Sequence, residues 1–405
     1  MLKLRRAIVL DAGSSGSGPE QQLAIERDGH SRPALADVAL VGRAQTGDEV
    51  IVNTQALDLG LGSGGFDIVH VNLSRGLESQ EDPTSPARDN VMKLNYTSLQ
   101  HTVEPVEGLG DSAGPTIGVL GRPVAVLALH GQLAAVAWAF AQAFPESRLG
   151  YVQTVGGALP GGHSRTVRSL RERGLLAGHL TAGAAYGGEG EAITTIGALD
   201  HGLRALGWDA AICGPGPGIV GSSSPLGHGG MAALDSAHAA LALDAPTLLV
   251  ARMSSGDPRP RHRGISHHTL TVLDLLLAPV TVALPAGMRS PVGADLRAGL
   301  GSVFGGALPN RGHTVRTTGS LELDIERPAR IARHDWRRAI VDLPAYASAD
   351  LPAETMGRGL TEDPLFFGAA LAAGATLAEL ARDAGEHGED GVEEAERSVA
   401  PPGRS

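Results

Sequence analysis

From Pro123 onward the chain repeats one pattern, and that pattern restricts its fold more than any other feature. "PVAVLAL", "RLGYVQTV", "GHLTAG", "DAAIC", "PTLLVARM" and "PVTVALP" are short apolar runs, most of them separated by helix-compatible segments such as "SRTVRSLRERGL", "EAITTIGALDHGLRAL" and "MAALDSAHAALAL". Strands that are apolar throughout are buried on both faces, and parallel neighbours need crossover connections. Alternation of this kind therefore predicts an α/β fold: a mostly parallel sheet with helices on both faces. The stretch Pro123 to Phe144 is about as long as a membrane-spanning helix. His130, Gly131 and Gln132 interrupt it, so it reads as strand, polar turn and helix.

The residues before this region lack helical periodicity. "RRAIVLDA", "QQLAIERDG", "DEVIVNTQAL" and "FDIVHVNL" are β-prone runs separated by Gly, Asp and Ser, which predicts a small all-β barrel-like or sandwich-like domain ahead of the α/β domain. A length of 405 residues with 42% hydrophobic and 19% charged residues suffices for both. The expected organisation is a β domain over 1–106, a junction between Glu107 and Pro115, an α/β domain over 116–380 closed by a helix in "LFFGAALAAGATLAELARDA", and an acidic disordered tail over 381–405.

Charge narrows the function classes. The net charge is −11, and the segment from Asp383 holds seven acids against two arginines, which leaves the rest of the chain at −6. That balance argues against nucleic-acid binding, which depends on cationic contacts to phosphates. Only Lys3 and Lys93 among the 33 basic residues are lysines, so any single arginine is weak evidence. The one cysteine, Cys213, excludes an internal disulfide and fits a reducing compartment. The apolar run before Asp11 is too short for a secretory signal. A cytoplasmic protein without nucleic-acid or membrane partners is expected, its oligomeric state left open.

In open α/β sheets, ligands bind beyond the carboxyl ends of the strands. The runs lead in turn into His130; into "GGALPGGHSRT" with Gly157; into "AAYGGEGEA" with Glu189; into "GPGPGIVGSSSPLGHGG" with Gly216 and Gly218; and into "SSGDPRPRHRGISHHT" with Asp257. Five successive loops thus place polar residues or glycines along one expected edge. Two dinucleotide-like patterns fail their context: Gly60, Gly62 and Gly65 precede a strand, and Gly216 to Gly221 does not open a helix directly. Glu189 is a candidate base or metal ligand, or simply favours a helix N-terminus. His201, His228 and His238 read as surface or core histidines, and Cys213 as a buried small residue.

"RPRHRGISHHT" admits three roles. Arg259, Arg261 and Arg263 are candidates to clamp a phosphate or carboxylate. His262, His267 and His268 are candidates for proton transfer or, with Asp257, for holding a divalent metal. The third role is a structural network, with Ser266 capping the following helix. The leading expectation is an enzyme acting on a small anionic, phosphorylated substrate being one case; the rival is a noncatalytic ligand sensor or interaction module.

Together "TVGGALP", "TAGAAYGGEGEA", "GPGPGIVG", "RPRHRGISHHT" and "MGRGLTEDPLFF" resemble an uncharacterised bacterial family catalogued as a domain of unknown function, family 3866. The resemblance runs from the N-terminal strands to about Gly374. It implies no activity, substrate or cofactor. In the family pattern the position of Ala184 is often histidine, which argues against a metal site built there in this chain. It also draws attention to Arg358, Glu362 and Asp363, which either fold back over the site or cap the last helix.

Overall fold

The computed structural model describes residues 1–13, 18–60, 65–77, 91–108, 121–222, 224–286, 315–316, 322–323 and 329–398. The chain divides into two compact units at Glu104/Pro105. The first unit ends two residues before the expected limit of 106, and the expected start at 116 lies outside the described residues.

Five strands of the first unit close into a barrel: β1 (Leu4–Asp11), β2 (Glu20–Arg27), β3 (His30–Asp37), β4 (Glu49–Asn53) and β5 (Asp67–Asn72), in the order β1-β2-β3-β5-β4. β1 closes on β4, and all pairs are antiparallel except β3 with β5. The fill is the inward half of each alternation, including Ala7, Val9, Leu23, Ile25, Val50, Val52 and Val69. β3 is the strand that composition does not flag, because Pro33 sits within it, paired with Ala24. Two single-turn helices, α1 (Val38–Val41) and α2 (Gln55–Asp58), and a hairpin of β6 (Val91–Lys93) with β7 (His101–Val103) complete this unit. Barrel closure removes open strand edges and implies no activity by itself.

The second unit contains an eight-stranded sheet whose neighbours are all parallel. Its members are β8 (Val124–Val126), β9 (Leu149–Thr154), β10 (Gly178–Ala182), β11 (Gly190–Ala192), β12 (Ala210–Pro215), β13 (Thr247–Leu249), β16 (Thr281–Pro285) and β19 (Asp335–Ala339). The order is β11-β10-β9-β12-β8-β13-β16-β19. The chain builds outward from β9 to β11, returns as β12 between β9 and β8, then crosses to β13 and beyond. Among the described residues of this unit, three small antiparallel pairs stand outside the sheet: β14 (Met253–Ser254) with β15 (Gly264–Ile265), β17 (Val315–Arg316) with β18 (Glu322–Leu323), and β20 (Glu354–Thr355) with β21 (Arg358–Gly359).

Successive strand residues enter opposite layers. Val124, Val126, Val152, Ala211 and Cys213 pack toward α5 (Thr195–Asp200), α6 (Ala232–Ala242) and α7 (His267–Leu275). Ala125, Leu127, Tyr151, Ile212 and Leu248 pack toward α3 (Leu133–Ala143), α4 (Arg165–Glu172) and the long helix described next. This double cover is what the unbroken apolar runs require. The full burial of Trp208 depends on glycine at three positions: a Cβ on Gly150, Gly178 or Gly202 would come within 1.9, 2.8 or 2.3 Å of its ring.

Two short helices, α8 (Ala329–Ala332) and α9 (Leu343–Ala347), precede α10 (Pro364–Ser398). α10 packs on α3 and β16. Its part from Pro364 to Gly385 is long and apolar enough to cross a membrane, yet 78% of its most apolar window is buried within the protein. The stretch Pro123 to Phe144 is indeed strand, polar turn and helix. α10 carries helical backbone through the segment expected as a tail from 381, as far as Ser398. Ala, Glu and Arg are good helix formers, and no proline intervenes before Pro401. Residues 399–405 lie outside the described residues.

Candidate functional site

Strand direction sets the edge on which the site is built. β8, β9, β12 and β13 end side by side, so His130, Gly157, Gly216 and the segment leading to Asp257 all leave the sheet at its carboxyl edge. Glu189 does not join them. The connection from β10 to β11 contains no helix and turns back through Gly183 and Gly187, both at positive φ. Glu189 therefore stands just before β11, and its carboxylate accepts from the His179 N–H (3.2 Å) and from Arg171 Nε (2.7 Å). These contacts separate it from the histidines beyond β13, and the expected common edge holds for four of the five loops.

The glycines of this edge serve close packing. A Cβ on Gly157 would lie 2.2 Å from the Gly216 carbonyl oxygen, and one on Gly216 would lie 2.4 Å from that of Ala158. The Ala158 N–H already donates to the Pro217 carbonyl at 2.6 Å. Gly218 has a φ of 75° and serves a turn.

The segment after β13 builds the densest polar cluster. Ser266 caps α7, accepting from the His268 N–H at 3.2 Å, and its Oγ also meets His262 Nδ1 at 2.8 Å. This one serine fixes His262 against the start of α7, where His267 and His268 are the first two residues. Ring centroids of His262 and His267 are 4.9 Å apart, and those of His267 and His268 are 4.3 Å apart. His228, from the loop before α6, stacks on His268 with centroids 3.4 Å apart and planes within 12°. One ring nitrogen from each of His262, His267 and His268 lies within 4.8 Å of the other two, so these three could hold a metal ion.

Burial and nearby guanidiniums keep the cluster uncharged. Desolvation first, then Arg252 and Arg259, bring His262 down to about 3; desolvation and Arg261 bring His267 down to about 4. His268 and His228 are lowered chiefly by burial, with Arg252 adding to it. Arg252 is itself buried, and desolvation pulls it down to about 10 against the pull of Asp257. Its Nη1 donates to His268 Nδ1 at 2.9 Å, while its buried Nε–H meets no acceptor among the described residues. The His267 Nε2 atom is likewise buried without a partner among the described residues.

Asp257 is fully buried and gathers several arginines, with Arg252 Nη2 at 3.5 Å among them. Arg259 grips it through Nε and Nη2, both at 2.9 Å, and Arg358 approaches at 3.5 Å. Although burial opposes ionisation, these bonds and the Arg259 N–H hold the Asp257 carboxyl well below the usual range. Arg263 donates to the Asp257 carbonyl. Arg259 and Arg263 thus serve the fold of this loop, whereas Arg261 is half-buried and meets His262 Nε2 at 3.4 Å.

The late segment folds back here, and Ser255 Oγ accepts from the Leu365 N–H at the start of the last helix (3.5 Å). Asp363, immediately before α10, accepts from Ser254 Oγ (2.6 Å), Ser255 N (2.7 Å) and Arg358 Nε (3.1 Å). The turn between β20 and β21 puts both Met356 (φ 48°) and Gly357 (φ 71°) in the left-handed region. Met356 Sδ lies 3.6 Å from Arg252 Nη2. A methionine in that backbone region costs about 1 kcal/mol, a strain held here beside the arginines.

A second polar group lies under the same edge. His130 Nε2 meets Ser164 Oγ at 2.8 Å, and Nδ1 lies 3.3 Å from both Tyr151 Oη and the Pro215 carbonyl. His179 stacks on Tyr151 with centroids 5.3 Å apart, its Nε2 buried without a partner among the described residues. A cavity of about 250 Å³ lined by His179, Glu189, His201 and Trp208 includes none of the four clustered histidines. His238 accepts from the Leu277 N–H.

The model of a family described as proteins of unknown function, DUF3866, matches residues 33–374. The chain belongs to the DUF3866 family. No curated protein sequence and no solved structure matches it. The match ends within α10 and takes in every clustered side chain of the edge. Sequence reading alone missed three participants in this DUF3866 protein: His228, Arg252 and His179. The only local signal was the position of Arg252, directly after the apolar run "PTLLVA".

Proposed function

We propose that this DUF3866 protein is an enzyme acting on a small substrate that carries a phosphate or carboxylate group, bound where His262, His267 and His268 meet Arg252 and Arg261. One observation carries the reading: a buried arginine with a donor lacking an acceptor stands against packed, uncharged imidazoles at the carboxyl edge of a parallel sheet. Buried donors without acceptors are costly, and an anion would satisfy them. Arg261 approaches from the solvent side; Arg259 and Arg263 hold the loop. The buried free Cys213 fits a reducing compartment, and on this reading the protein works in a bacterial cytoplasm.

Thermal unfolding with inorganic phosphate, phosphate monoesters and carboxylates tests this directly. A ligand at ten times its Kd stabilises the folded state by about 1.4 kcal/mol. Arg252→Gln and Arg261→Gln should each remove that gain. Absence of any anion effect on the parent protein sinks the reading. Stabilisation without turnover of any phosphate or carboxylate ester would instead identify a ligand sensor.

A further inference from the structure

We infer that His262, His267 and His268 form a three-imidazole site for a divalent transition-metal ion of the zinc or cobalt type. The inference deepens the function proposed above and rests on that reading only for the anion described below. The decisive observation is geometric: ring nitrogens of three buried or half-buried histidines lie within 4.8 Å of one another, on a helix start and a capped turn locked together by Ser266. A tetrahedral ion with bonds of about 2.0–2.1 Å holds its nitrogens about 3.4 Å apart, so small side-chain movements close the set. Imidazole nitrogens alone suit zinc, cobalt, nickel or copper rather than magnesium or calcium, which take oxygen. Three histidines leave a fourth position open, the arrangement of catalytic rather than structural zinc sites.

Ring nitrogens on two of the three histidines already face cationic donors. Arg252 donates to His268 Nδ1 and Arg261 to His262 Nε2, while His267 Nε2 has no partner among the described residues. Guanidinium can only donate, so each of those ring nitrogens is an acceptor pointing at positive charge. Loading the ion requires both guanidiniums to withdraw. They then stand beside its open position, and their repulsion is relieved when an anion occupies that position. Metal and anion should therefore bind cooperatively, each raising the affinity for the other by the same factor. His228, stacked face to face on His268, acts as a positioning residue for that ring.

The test is titration of chelator-treated full-length protein with Co²⁺, followed by calorimetry and visible absorption. The parent chain should take up one equivalent with the spectrum of a site of low coordination number. His262→Gln/His267→Gln should lose that step, while His238→Gln, outside the cluster, keeps it. Equal Co²⁺ binding by the parent and the double variant, or no binding by the parent, overturns the site. Should the double variant misfold, X-ray absorption on the cobalt-loaded parent decides: three imidazoles support the site, and purely oxygen ligation overturns it. Repeating the titration with inorganic phosphate isolates the other proposal. Tighter Co²⁺ binding supports the anion reading, whereas intact binding indifferent to phosphate removes the anion reading and leaves the metal site standing.

Discussion

His130 and His179 show what burial does to a single residue in this sheet. Desolvation lowers His130 from 6.5 to about 4 and, with His130 and Arg171 adding to it, lowers His179 to about 3. The folded state refuses protons that the unfolded chain accepts. Stability from these two groups is thus fully present above about pH 6.5, and each loses up to about 1.4 kcal/mol per pH unit as the medium is acidified toward its folded value. Urea unfolding between about pH 7 and 5 should show this acid limb, and His130→Gln, which cannot titrate, should flatten it by close to one proton's worth. An unchanged slope would mean that His130 takes up its proton equally in both states. Residue identity was legible at His262, His267 and His268 because they are sequence neighbours. His228 and Arg252 were not, since stacking on His268 and donation to it bring together side chains from separate loops. A lone arginine in a lysine-poor chain gave no warning.

Elements were legible wherever one physical cause dominated the local sequence. The apolar runs from "PVAVLAL" to "PVTVALP" all contain strands because burial on both faces makes most of their positions apolar. The misplacement of Glu189 has the opposite origin: a loop that doubles back by positive-φ glycines has the same composition as one that ends at the sheet edge. The join between β14 and the start of α10 was likewise only half visible. Asp363 was legible only as an acid before a helix; its bonds to Ser254, Ser255 and Arg358 come from residues brought together by the fold. Breaking a buried charge pair costs about 3–5 kcal/mol because the surviving partner is left uncompensated. Asp363→Ala should fall in that range by chemical denaturation and should speed amide exchange at Ser255. Glu362→Ala, at an exposed neighbour that accepts from the Gly359 N–H, should cost well under 1 kcal/mol. Equal costs for the two would show that Asp363 does not anchor the segment.

At the scale of the whole molecule, the chain forms two compact units with separate cores. One core is built from Ala7, Val9, Ile25, Val50 and Val52, the others from sheet and helix residues of 124–381. Every side chain placed in the cluster, from His228 to Asp363, belongs to the second unit, and so does every hydrogen bond cited for it. A unit with its own core and a self-contained polar network should fold and function alone. Even Glu107, in the expected junction, is spent inside this unit, accepting from the Ile193 and Thr194 N–H groups at 2.9 Å. Residues 105–405 expressed alone should therefore give a cooperative unfolding transition and bind one equivalent of Co²⁺ with the affinity of the full chain. Residues 1–104 alone should bind none through the cluster. A molten 105–405 fragment, or a folded one whose Co²⁺ step is lost, would show that the first unit completes the site and that the division of labour argued from the separate cores is wrong.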